Sequence, residues 1–126
     1  MFRAPLLAGS LVCGLLCWTN PATADVVVDW NLIATQAVGA APAARPGPSG
    51  LIDIAIVQVA VHDAMQAYQQ RFESYGGPIA NASGSPVAAV ARAARDVLIG
   101  VGLTSTPNGT VDTLYTNYIK LAWSCQ

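Results

Sequence analysis

Hydrophobic residues recur at helical spacing in four stretches of this chain, and the breakers between them set the order of elements. Over residues 26–41, Trp30, Ile33, Ala34, Ala37 and Val38 fall on one helical face, while Asp29, Asn31 and Gln36 lie away from its centre. That predicts a first helix. Val26, Val27 and Val28 would equally suit the start of a strand, but a lone strand has no evident partner in the chain. Residues 42–50, PAARPGPSG, form a breaker-rich linker, with Ser49 placed to cap a helix beginning near Gly50.

Residues 51–72, LIDIAIVQVAVHDAMQAYQQRF, make the longest apolar stretch after the N-terminus and predict a second helix with two unlike halves. In residues 51–61 only Asp53 and Gln58 are polar, and a five-residue step separates them by about 140° around the helix. A helix that is apolar all round is normally buried all round. In the second half Gln58, His62, Gln66, Gln69 and Glu73 follow at three- or four-residue spacing and form one polar stripe. Gly76, Gly77 and Pro78 end the element, and small and polar residues run on to Gly84.

Ser85 followed by Pro86 marks a helix start, a capping hydroxyl with proline at the first helical position. The third helix, VAAVARAARDVLIGVG, gathers Arg92, Arg95 and Asp96 on one side and closes at Gly102. Ala88, Ala91 and Ala94 permit close approach of another helix. After a turn over residues 104–109, a fourth helix begins at Thr110 or Val111. It sets Val111, Leu114, Tyr115, Tyr118 and Ala122 opposite Thr113, Asn117 and Lys120, and runs into the last residues. The pattern predicts an all-α chain of about four helices. Three short companions cover the second helix poorly, so it is expected to be part of a larger helical bundle.

Composition changes this picture mainly at the N-terminus. Arg3 precedes an almost purely apolar run over residues 6–18, and Ala22-x-Ala24 follows, which is the layout of a secretory signal peptide over residues 1–24. Asp25 is then the expected mature start, and the expected location is secreted or periplasmic. The apolar run is short for a bilayer span, so no stable membrane anchor is expected after cleavage. Cys13 and Cys17 leave with the signal, and Cys125 remains as a single thiol, free or intermolecular. That leaves a homo-oligomer or a missing C-terminal helical portion as the expected partner. Six basic against seven acidic residues give a net charge of -1, and the basic ones are scattered singly, so no nucleic-acid partner is expected. The Asn81-Ala82-Ser83 and Asn108-Gly109-Thr110 sequons matter only in a eukaryotic secretory pathway.

Candidate chemistry is sparse. His62 beside Asp63 suggests an imidazole and carboxylate pair, but neighbours on a helix point about 100° apart, and a hydrogen-bonded helix residue is the favoured reading. Asp53 and Asp63 share a face only loosely. No second histidine completes a metal site. Arg92 and Arg95, one turn apart, could grip an anion, but such a pair is more often a solvated face, here with Asp96 helping to neutralise it. The aromatics Trp30, Tyr68, Phe72, Tyr75, Tyr115, Tyr118 and Trp123 read as core and interface packing. Cys125 has neither base nor activating surroundings in the sequence near it.

The segment Asp-Val-Val-Val-Asp-Trp-Asn at residues 25–31, the Pro-rich link, and Ile-Val-Gln-Val-Ala-Val-His-Asp-Ala-Met-Gln-Ala at 56–67 together resemble a known family. The likeness is to the N-terminal helical region of bacterial vanadium-dependent haloperoxidase-related proteins, in the type 2 phosphatidic acid phosphatase superfamily. It extends through the alanine-rich stretch at residues 85–98 and covers most of residues 25–121. The resemblance implies a secreted all-α protein in which convergent basic residues hold vanadate or a phosphoryl group. Those residues belong to three motifs: a lysine with a following Arg-Pro, a Pro-Ser-Gly-His, and an arginine followed by a histidine. None is present here. Arg45-Pro-Gly-Pro-Ser-Gly50 mimics pieces of two, yet Leu51 stands where the histidine would be, and Lys120, the sole lysine, has no Arg-Pro after it. No catalytic, cofactor-binding or metal residue is therefore assigned, and vanadate is implied only for a full-length relative. Residues 25–126 are expected to be a catalytically incomplete N-terminal portion of such a protein. The alternative is a free-standing exported helical protein that binds or scaffolds a partner.

Overall fold

The computed structural model describes residues 23–41, 47–80 and 82–124. The apolar run of the expected signal peptide, most of the linker, Asn81 and Cys125 lie outside the described residues. Within them the chain forms four α-helices: α1 (Thr23–Ala40), α2 (Gly47–Gln69), α3 (Pro86–Gly100) and α4 (Val111–Ser124). A minimal antiparallel pair, β1 (Ser105–Thr106) and β2 (Gly109–Thr110), joins α3 to α4. The all-α class is as the pattern predicts.

The opening valines are helical, because α1 then places Val26, Trp30, Ala34 and Ala37 in one buried row. Trp30 is fully buried, with Tyr115 and Tyr118 of α4 each 6.2 Å away between ring centres. Its indole Nε1 is the one buried side-chain polar atom without a hydrogen-bond partner among the described residues. Burying roughly 200 Å² of indole stabilises by about 5 kcal/mol, against about 1–3 kcal/mol for an unpaired donor, so burial wins.

The second helix departs from expectation at both ends. It starts at Gly47, inside the breaker-rich linker, so Pro48 sits in the first turn, where its missing N–H has no helical partner to lose. Ser49 therefore lies within α2 and does not open it. At the other end α2 stops at Gln69, ahead of the expected Phe72, because Gln70 turns into the left-handed region at φ 48°. Glu73 consequently belongs to the following loop and not to the helical stripe.

The caps of α3 follow the sequence signals. Ser85 Oγ accepts from the Ala88 N–H at 3.3 Å, with Pro86 opening the helix. Gly102, at φ 81°, donates to the Ile99 carbonyl at 3.0 Å, and the Leu103 N–H donates to the Leu98 carbonyl at 2.8 Å. This pair of bonds is a Schellman closure, with Leu103 buried beside it. The expected turn at residues 104–109 is the hairpin itself, where Ser105 pairs with Thr110 and Thr106 with Gly109. The Thr106 hydroxyl donates to the Gly109 carbonyl at 2.9 Å and accepts from the Asn108 N–H at 3.2 Å.

Packing centres on α3, which lies against α1, α2 and α4. Its Val90, Ala91, Ala94 and Leu98 are fully buried, so two of the three alanines expected to face another helix do so, while Ala88 is half-buried. Gly50 of α2 faces Val38 of α1, and Gln58 farther along α2 reaches back to Asn31, so the two helices run antiparallel.

Candidate functional site

The polar residues of α2 organise the loop that follows it. Asp63 accepts the Tyr75 N–H through Oδ1 and the Gly76 N–H through Oδ2, both at 2.8 Å. His62 Nε2 lies 3.1 Å from the Glu73 carbonyl, which can only accept, so the imidazole donates from Nε2. The Tyr75 ring stands edge-on to His62 at 5.4 Å. Gln66, only 6% exposed, accepts through Oε1 from the Arg71 N–H at 3.1 Å and the Phe72 N–H at 2.9 Å. Successive side chains on one side of α2 thus hold residues 71–76 by their backbone.

This arrangement disposes of the carboxylate candidates. His62 and Asp63 serve different points of the loop and form no catalytic pair with each other. Asp53 is buried and stands ten residues from Asp63, about 15 Å along the axis, so the two carboxylates do not share a site.

Beside these bonds the loop encloses an open cleft of about 660 Å³, lined by Gln66, Arg71, Phe72, Glu73, Pro78 and Ile79 among others. The sequence gives little sign of it. Gln66 reads there as one member of a polar stripe, and it is buried because the chain reverses at Gln70 and returns over it.

The arginine pair is spent on carboxylates. Arg92 Nε donates to Asp96 Oδ2 at 2.6 Å, Arg95 Nη1 donates to Asp96 Oδ1 at 2.5 Å, and Arg95 also bonds Asp112 of α4. Arg95 further lies 5.6 Å from the centre of the Tyr115 ring. Bonding to Asp96 pushes the Arg92 guanidinium up, and bonding first to Asp112 and then to Asp96 does the same for Arg95. A multiply charged oxyanion needs convergent cations with free donors. Here Asp96 and Asp112 already match the two positive charges, so the residues do not fit vanadate.

Of the aromatics, Trp30, Tyr115 and Tyr118 form the core cluster, and the Tyr68 hydroxyl donates to the Ser83 carbonyl at 3.1 Å. Phe72, Tyr75 and Trp123 are exposed. Among the described residues, no group of three or more His, Cys, Asp or Glu side chains could hold a metal ion. No helix among them is long and apolar enough to cross a membrane. No family model, curated protein or solved structure matches the chain.

Proposed function

We propose that this chain is the N-terminal helical portion of a secreted, vanadium-dependent haloperoxidase-like protein, serving as scaffold and supplying no catalytic group. The observation that carries the incompleteness is the bare face of α2. Leu51, Ala55 and Val59, with Ile52 and Ile56 in the adjacent row, are exposed on the same helix whose Val57 and Val61 are buried, and no charge interrupts that stripe. A soluble helix turns polar residues to water. This one is built to be covered on both sides.

The segments that resemble the family do structural work. Trp30 fills the core, Asp29 Oδ2 accepts the Tyr118 hydroxyl at 3.2 Å, and Asn31 Oδ1 accepts from Gln58 Nε2 at 2.8 Å. His62 and Asp63 fasten the loop. A scaffold reading accounts for each of these residues without asking any of them for chemistry, and vanadate would be held by residues of another portion.

Reading the gene beyond the Gln126 codon tests the proposal. A continuing or frameshifted reading frame that encodes Pro-Ser-Gly-His and the flanking basic motifs is the expected result. A stop followed by unrelated sequence would count against it. The purified chain with added vanadate is expected to show neither bromide nor chloride peroxidation nor phosphatase activity, and clear vanadate-dependent turnover would overturn the assignment.

A further inference from the structure

We propose that the cleft after α2 binds a small monocarboxylate carrying a short apolar chain, a site that stands whether or not the haloperoxidase-like reading holds. Gln66 sets the polar end. Two backbone N–H groups meet its Oε1, which fixes the orientation of the amide and leaves the two Nε2 hydrogens as donors. Gln66 lines the cleft, and among the described residues its Nε2 has no acceptor. An amide donor without an acceptor in the protein is open to a ligand oxygen in the cleft.

Arg71 lines the same cleft and pairs with no carboxylate among the described residues. A guanidinium beside an amide N–H₂ suits the two oxygens of a carboxylate. Glu73, also in the lining, sets a limit on charge: one negative charge is offset by Arg71, whereas a second, as on a phosphate dianion, would face the glutamate. Phe72, Pro78 and Ile79 supply apolar wall, with Phe72 67% and Ile79 52% exposed. The volume of about 660 Å³ lies within the usual range for small-molecule sites. Gln70, the described non-glycine residue with positive φ, shapes the rim, and such backbone tends to gather at binding sites.

The test is a titration of the ¹⁵N-labelled full chain with hexanoate, hexylamine and hexanol, read on the Gln66 side-chain amide signals. Hexanoate is expected to shift them saturably, and the other two to bind at least tenfold more weakly. Arg71→Gln, which keeps the backbone N–H used by Gln66, is expected to weaken hexanoate binding about tenfold, the effect of losing one charge-assisted contact. Glu73→Gln is expected to tighten it. Absence of a saturable shift, equal binding of hexylamine, or unchanged affinity in Arg71→Gln would each overturn the proposal.

Discussion

Asp96 shows how single residues here balance opposed influences. Partial burial is the largest of these and pushes its carboxyl up. Hydrogen bonds from Arg92 and Arg95, with their positive charges, together outweigh it and hold the group below its ordinary value of 3.8. A carboxyl lowered in the folded chain contributes stability above its unfolded value, and that contribution is lost as pH falls through the folded one. The urea midpoint of the chain should therefore drop on acidification below about pH 4. In Asp96→Asn the midpoint should be lower at neutral pH and the acid limb flatter, with the two proteins converging once the pH has fallen below the folded value, where the carboxyl is protonated in both states. Added salt should shrink the neutral-pH difference, since the group is largely exposed. Unchanged curves would remove Asp96 from the acid response. Half of this network is legible in sequence, because Arg92 and Asp96 are one turn apart. Asp112 is not, since its approach to Arg95 depends on the hairpin returning α4 against α3.

At the level of elements, Gly50 fixes how closely α1 and α2 approach. A Cβ there would stand 2.5 Å from Val38 Cγ1, an atom on a short β-branched side chain with little freedom to move. Alanine gains up to about 1 kcal/mol of helix propensity over glycine, while overpacking costs about 1–3 kcal/mol, so the clash should prevail. Gly50→Ala is expected to destabilise by about 1–2 kcal/mol, and adding Val38→Ala should recover most of that loss. Chemical denaturation of the two single variants and the double variant measures the coupling. A stabilised Gly50→Ala would show that the helices have room to part. The sequence presents Gly50 as the last residue of a linker, because proline and glycine density is read locally. What it conceals is that Pro48 and Gly50 are compatible with a helix when one falls in the first turn and the other in a tight crossing. The caps of α3 are legible for the opposite reason: Ser85, Pro86 and Gly102 act within their own few residues.

For the whole molecule, the informative contrast lies across α2. The sequence predicts a helix wanting cover all round, and the structure distinguishes its sides: Val57 and Val61 pack into the core, while Leu51 and Ile52 are 71% and 60% exposed. Which side would be bare is not legible beforehand, since it follows from where α1 and α3 settle and not from the periodicity of α2 itself. Farther along, the loop held by Asp63 and Gln66 covers the continuation of the same side, and its cover stops short of Val59. The double variant Leu51→Lys/Ile52→Lys separates a surface of this chain from an interior awaiting a partner. In the chain alone the lysines meet water, so thermal and urea unfolding should shift by no more than about 0.5 kcal/mol, and binding of a hydrophobic dye should fall. In a longer polypeptide whose further helices cover the stripe, the same change buries unpaired charge and should cost about 3–5 kcal/mol. Strong destabilisation of the chain alone would mean that the stripe is already packed within it. Equal and small effects in both contexts would mean that nothing covers α2, and the scaffold would then be complete without the missing side.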